Sequence, residues 1–172
     1  MGDFKLKGFT IIEVSLVLAI AGLIFLMIFV ALPALQRSSR DTQRKEDVNA
    51  LVSAIKKYQT NNRGALPTGT DGNEWRTTSL SNYLRNDFSD PSGGSEEGAY
   101  KLTVQSCGSS ADNNCVDSVS GTTQFPNDYR MYIVTQAKCA GDESVGALGS
   151  SNPRKFAVLY KLEGGGIYCE DG

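Results

Sequence analysis

From Val14 to Leu35 the chain carries no charged side chain. About 20 consecutive apolar residues are enough to cross a bilayer as a helix. That run therefore fixes a membrane-spanning helix near the N-terminus before anything else is decided. A secretory signal peptide has a shorter apolar core that ends in a small-residue cleavage site. Pro33-Ala34-Leu35-Gln36 matches such a site poorly. One carboxylate, Glu13, stands at the edge of the run. An acidic side chain in hydrocarbon costs roughly 2.5 to 3.5 kcal/mol, so this residue calls for a partner or a role. The plain alternative is a side chain that snorkels to the headgroups.

Beyond such an anchor, 172 residues leave room for one domain with a modest core. The formal net charge of −2, without long runs of either sign, gives no argument for a nucleic-acid partner. Histidine is absent, which removes the commonest general base and the commonest metal ligand. With no G-x-S-x-G nucleophile motif and no C-x-x-C redox pair either, the chain is expected not to be an enzyme and to need no cofactor. A membrane-anchored extracytoplasmic enzyme or binding protein is the reading these absences disfavour.

Cys107, Cys115, Cys139 and Cys169 all follow the apolar run. An even number beyond a membrane segment suggests disulfides formed outside the cytoplasm. A four-thiolate zinc site would favour C-x₂₋₄-C spacing, which no pair shows. The expected pairing is Cys107–Cys115 and Cys139–Cys169, the most local of three connectivities. Asp87, Asp90, Glu96 and Glu97 in "NDFSDPSGGSEEG" are the carboxylates that could take calcium. No EF-hand pattern surrounds them, so no metal is expected, and "SDPSGG" reads as a Pro-directed turn.

Helical periodicity continues past the apolar run. Val48, Leu51, Val52, Ile55 and Tyr58 fall on one stripe, with Lys45, Glu46, Asn49, Lys56 and Lys57 on other faces. Gly64 suits a C-terminal cap. From Phe9 to that cap the helix would hold about 50 residues and run roughly 80 Å. Residues 65–99 read as a long loop with a short helix over 78–86. Strands are expected around Tyr100, Leu102 and Val104, at Tyr132–Gln136 and at Phe156–Leu162. Cys139 is expected at the end of the Tyr132–Gln136 strand, a short edge strand at Ile167-Tyr168-Cys169, and a surface loop over Gly141–Asn152.

The segment Lys7-Gly8-Phe9-Thr10-Ile11-Ile12-Glu13 resembles the class III signal of type IV pilins and pseudopilins. In that family a basic leader ends in glycine, a membrane peptidase cuts after it, and the new N-terminal residue is methylated. A glutamate stands fifth in the mature chain, as Glu13 does from Phe9. The resemblance covers Lys7 to about Leu35. It implies removal of leader residues 1–8 between Gly8 and Phe9, and N-methylation of Phe9. It also implies pairing of Glu13 with the Phe9 amine of a neighbouring subunit, which would offset two charges each costly in lipid. The family often places a glycine and a proline in the apolar half. Gly22 falls at the usual place and Pro33 a little later, and the helix between them can loosen in filaments.

The fold so implied is an α+β, lollipop-shaped pilin. Residues 9–35 form the transmembrane half of the helix, 36–64 its amphipathic half, and 65–172 a head with a three- to four-stranded antiparallel sheet. The implied function is a structural subunit of an extracellular homo-oligomeric filament serving adhesion, twitching motility or DNA uptake. The alternative is a pseudopilin of a secretion or competence machine, or a minor pilin. Implied partners are the prepilin peptidase and methyltransferase, the assembly platform with its ATPase, and the cytoplasmic membrane before assembly, with the head extracytoplasmic.

Overall fold

One helix, α1 (Ile11–Asn61), takes up 51 residues and remains continuous through Gly22 and Pro33. Its description comes from a computed structural model that covers residues 8–69, 71–85, 88–92, 100–107, 130–139, 147–150 and 152–172. The chain divides into two compact units, one up to Ser38 and one from Ser39 to Gly172. In the first unit the large apolar side chains of α1, from Ile11 to Leu35, are exposed. Its most apolar 18-residue window has a mean hydropathy of 2.9, long and apolar enough to cross a membrane. Ser15 satisfies its hydroxyl on the Ile11 carbonyl at 2.8 Å, as a polar side chain in an apolar helix must.

The rest of α1 belongs to the second unit. Val48, Leu51, Val52 and Ile55 of the expected stripe are buried there, and Tyr58 packs partly buried against the same core. The helix stops at a left-handed turn, with Arg63 at φ 57° and Gly64 at φ 83°. The Gly64 N–H reaches back to the Gln59 carbonyl at 2.7 Å, the long bond of a Schellman cap.

Four strands form the main sheet: β1 (Lys101–Ser106), β2 (Arg130–Thr135), β5 (Phe156–Lys161) and β6 (Ile167–Asp171), in the order β1-β2-β5-β6. A second sheet pairs β3 (Ala137–Cys139) with β4 (Ala147–Gly149). β2 and β5 lie at the centre and are buried on both faces. Met131, Ile133, Phe156, Val158 and Tyr160 join the α1 stripe in one core, and Tyr132, Val134, Ala157 and Leu159 form another with Ala137. This explains their near-continuous apolar sequences: strands covered on both sides lose the polar alternation of half-buried ones.

The main sheet is mixed, not antiparallel as the sequence suggested. β1 runs parallel to β2, with Leu102 opposite Met131 and Val104 opposite Ile133. A parallel pair needs a crossover of a dozen or more residues, and the connection over 107–129 is long enough to supply it. The β2–β5 and β5–β6 pairs are antiparallel as expected, the latter turning through Gly165 and Gly166 at positive φ.

Three other expectations shift. The short helix lies earlier than 78–86, as α2 (Gly72–Glu74) continuing into a π-helical turn (Trp75–Ser79). Asp71 caps it by accepting from the Asn73 N–H, so "DGNEW" starts a helix where its composition reads as loop. Cys139 lies on β3, not at the end of β2, because Gln136 at φ 56° turns the chain away between them. The segment 141–152 holds a strand, β4.

Cys139 and Cys169 are disulfide-bonded, with Cα atoms 5.9 Å apart, tying β3 to the edge strand β6. By the chain-entropy model that closure contributes about 3.7 kcal/mol. At the opposite edge α2 packs so closely on β1 that a Cβ at Gly72 would overlap the Leu102 carbonyl group. Gly72→Ala should therefore force backbone apart and cost about 1–3 kcal/mol. Denaturant unfolding followed by fluorescence of Trp75, the chain's one tryptophan, would measure it. A wild-type midpoint in that variant would refute the close approach.

Candidate functional site

The sequence points to the start of α1, and the structure gives Glu13 a local role there. Thr10 precedes the helix, and its backbone N–H and hydroxyl both donate to Glu13 Oε2 at 3.0 Å. The Glu13 N–H approaches Thr10 Oγ1 at 3.4 Å. This is a capping box of the Thr-x-x-Glu kind, which satisfies amide groups that a helix start leaves unpaired. All three bonds leave Glu13 Oε1 uninvolved. Phe9, one residue before the cap, is 88% exposed. The Thr-x-x-Glu spacing in the sequence itself carries this capping signal.

A second polar cluster lies in the unit from Ser39 onward, and the sequence reading missed it. Arg44 sits one turn before Val48 on the buried stripe and is 1% exposed. A guanidinium there must find anions, because an unpaired buried charge is among the costliest groups in a fold. Nε and Nη2 of Arg44 reach the two oxygens of Asp90 at 2.9 and 3.0 Å, a bidentate pair. Nη2 also lies 2.7 Å from Glu163 Oε1, and Nη1 lies 3.2 Å from Asp41 Oδ1.

The anions are themselves held. Asp90 Oδ2 accepts from the Tyr160 hydroxyl at 2.8 Å, and Oδ1 accepts from the Ser92 N–H at 2.8 Å and from its hydroxyl. The described part of the "SDPSGG" segment, up to Ser92, does turn, closed by the Asp90 side chain. Asp41 accepts from the Glu163 and Gly164 N–H groups at 2.9 and 2.8 Å, and Arg40 grips Glu163 at 2.7 Å. One helix face thereby fastens two loops: the segment around Asp90 and the β5–β6 turn.

Burial works against both members of the central pair. It pushes the Asp90 carboxyl up, yet the bonds from Arg44, Ser92 and Tyr160 outweigh it and hold the group below the usual aspartate range. Burial likewise pushes Arg44 down, and Asp90 and Glu163 more than compensate, so the guanidinium stays charged. Glu163 is held low chiefly by the Arg40 hydrogen bond. Tyr100, pushed up by burial and by its 2.7 Å bond to Asp47, stays a neutral phenol. Asp90, a calcium candidate in the sequence, has both oxygens committed to this cluster. Among the described residues no group of three or more His, Cys, Asp or Glu side chains converges as a metal site would.

Of the other sequence candidates, Gly22 and Pro33 lie inside α1. Cys107 is disulfide-bonded, and Cys139–Cys169 form the other bridge. Cys115, Asp87, Glu96, Glu97 and leader residues 1–7 lie outside the described residues, while Gly8 borders Phe9 at the exposed start of the chain that is described. Comparison with protein-family models, with curated proteins and with solved structures finds no match.

The Arg44 cluster makes a signed prediction. Asp90 and Glu163 titrate lower in the fold than in the unfolded chain, so their contribution is full above about pH 5 and is lost as pH falls below about 4 toward their lowered values. Arg44→Met leaves Asp90 buried without its cation and should cost about 3–5 kcal/mol near neutrality. Protonating Asp90 removes that uncompensated charge, so the gap between variant and wild type should narrow toward pH 3. Denaturant midpoints by Trp75 fluorescence across this range would show it. A gap independent of pH would mean that Arg44 matters only for packing.

Proposed function

We propose that this chain is a structural subunit of a type IV pilus-like filament, not an enzyme, and that it enters the filament through the exposed apolar half of α1. The observation that carries this reading is Glu13: a lone carboxylate at the start of the exposed apolar half of α1, one oxygen capping its own chain and the other outside those bonds. An ionisable residue at the edge of a membrane span marks function more often than accident. Cutting the chain after Gly8 would create an ammonium on Phe9, four residues away in sequence. In this reading Oε1 would accept such a group from a neighbour while Oε2 holds the helix start. The disulfide between β3 and β6 suits a head that works in an oxidising space.

Two measurements test the reading. Mass spectrometry of the purified chain should show loss of Met1–Gly8 and one added methyl on Phe9; an intact leader on chains recovered from fibres would refute the processing step.

The second separates Glu13's two jobs. Glu13→Gln keeps the capping geometry, since glutamine also serves in a capping box, but removes the charge. Glu13→Val removes both. If charge pairing drives assembly, electron microscopy of labelled cells should show long fibres for the wild type and few or none for either variant. Normal fibres with Glu13→Gln would reduce the residue to a helix cap. Absence of long wild-type fibres would move the chain to the pseudopilins.

A further inference from the structure

The C-terminal end of α1 gathers cations that neither the membrane segment nor the Arg44 cluster uses. A groove of about 570 Å³, within the size range of small-ligand sites, is lined there by Lys56, Gln59, Arg63, Asn152, Arg154 and Lys155. Four of those six side chains are cations, in a chain whose formal net charge is −2. Among the described residues that line it there is no aspartate, glutamate or cysteine, and no large aliphatic or aromatic residue.

Cations at a helix C-terminus ordinarily serve its unpaired carbonyls. Here Gln59 O already accepts from the Gly64 N–H at 2.7 Å, and Tyr58 O from both the N–H and the side chain of Asn62 at 2.9 Å. Lys56 donates instead to the Asp171 carbonyl and Lys155 to Gly172 O, each at 3.2 Å. Each bond uses one of an ammonium's three hydrogens. Arg63 and Arg154 form no ion pair among the described residues. The turn that carries Arg154 is nonetheless held in place. Gln59 Nε2 donates to the Arg154 carbonyl at 2.8 Å, and Asn152 Oδ1 accepts from the Arg154 N–H at 2.9 Å. The Arg154 guanidinium lies over Gly64, where a Cβ would come within 3.1 Å of its central carbon.

The donors define what such a groove takes. A carboxylate, a sulfate ester or a phosphodiester brings one negative charge, whereas a phosphomonoester near neutrality brings nearly two, on three terminal oxygens. Two guanidinium forks, each able to bond a pair of oxygens, and two ammonium groups match the last of these best. The lining also limits the body of the ligand. No ring is present for a base to stack on, and no apolar residue for an acyl chain. Gln59 and Asn152 each spend one amide atom within the fold, which leaves the other to meet a hydroxyl. We propose that the groove binds the phosphomonoester of a small hydroxylated molecule, a sugar or polyol phosphate. The inference stands apart from the filament reading: unassembled chains suffice to measure it, and chains that form no fibres would still bind.

The test titrates the full chain, in a non-ionic detergent at low salt, with β-glycerophosphate in a calorimeter. Acetate and dimethyl phosphate, each a single negative charge, should bind about tenfold more weakly or worse. Between about pH 5 and about pH 7.5 the monoester takes its second charge, so its affinity should rise about tenfold. The described lining has no histidine or carboxylate side chain of its own to mimic that rise. Arg63→Gln with Arg154→Gln should lower affinity about tenfold or more. Arg76→Gln with Lys101→Gln removes the same charge outside the groove and should change it by less than about twofold. Equal thermal midpoints would certify both folds; if Arg154→Gln unfolds the head, Arg154→Lys should keep the pH-dependent binding. Dihexanoyl phosphatidic acid carries the same monoester on a lipid. Equal affinity for it supports a soluble ligand, and a tenfold preference for it supports the same chemistry on a headgroup. No binding at millimolar β-glycerophosphate would overturn the proposal. So would equal losses in the two double variants, or equal affinity for acetate and dimethyl phosphate, which would mean only a general positive field.

Discussion

The Arg44–Asp90 pair holds together the parts of the head that regular structure does not reach. The sheet is made by its own ladders and the helix by its own periodicity. The loop around Asp90 and the β5–β6 turn have neither. Both are fixed because a guanidinium placed on a buried helix face must be surrounded by acceptors, and these two segments bring them. Such a cluster is weak support for stability in the abstract, since well-packed apolar residues often do as well. Its contribution is positional. Asp90 and Glu163 have one place to go, so the loops that carry them do too.

The same physics, left unfinished, describes Glu13. Arg44 finds its partners inside its own chain, whereas Glu13 spends one oxygen on a helix cap, at the edge of a segment long and apolar enough to cross a membrane. A charge satisfied internally organises one molecule. A charge half satisfied in an apolar setting can organise several, because a partner from outside gains what no internal group supplies.

The sequence made the four strands of the main sheet legible, with β2 starting two residues earlier than expected, but it left β3 unmarked and read the β4 segment as loop. It also marked the buried stripe of α1 from Val48 onward. What it hid were features whose cause lies far off in sequence. The parallel pairing of β1 with β2 depends on a crossover, and no local pattern in "KLTVQS" records direction. Arg44 looks like any solvated helix cation until Asp90, 46 residues later, is brought to it. "DGNEW" reads as loop because Asp, Gly and Asn are turn formers; its helix is set by the Asp71 cap and by a tryptophan that is 2% exposed. The basic groove was likewise invisible, because Arg63 and Arg154 are scattered within a chain of slightly negative charge. Composition averages over surfaces, and a groove selects from them.

The sheet edges explain how such a chain could associate by one route and not another. An open β edge is a template for pairing with any other chain, a hazard for molecules held at high local concentration. On one side α2 closes against β1, so tightly that only glycine fits at residue 72. On the other, β6 is short, carries Glu170 and Asp171, and is tied by the disulfide to β3, whose Cys139 N–H donates to the Asp171 side chain. Both edges are blunted by devices that sacrifice some sequence freedom: a glycine that cannot change, and a cysteine pair that needs an oxidising space. The apolar residues of α1 before Ser38 carry no such protection. With both sheet edges blunted, the largest apolar surface among the described residues lies along that half of α1, and the proposed filament is one way to cover it.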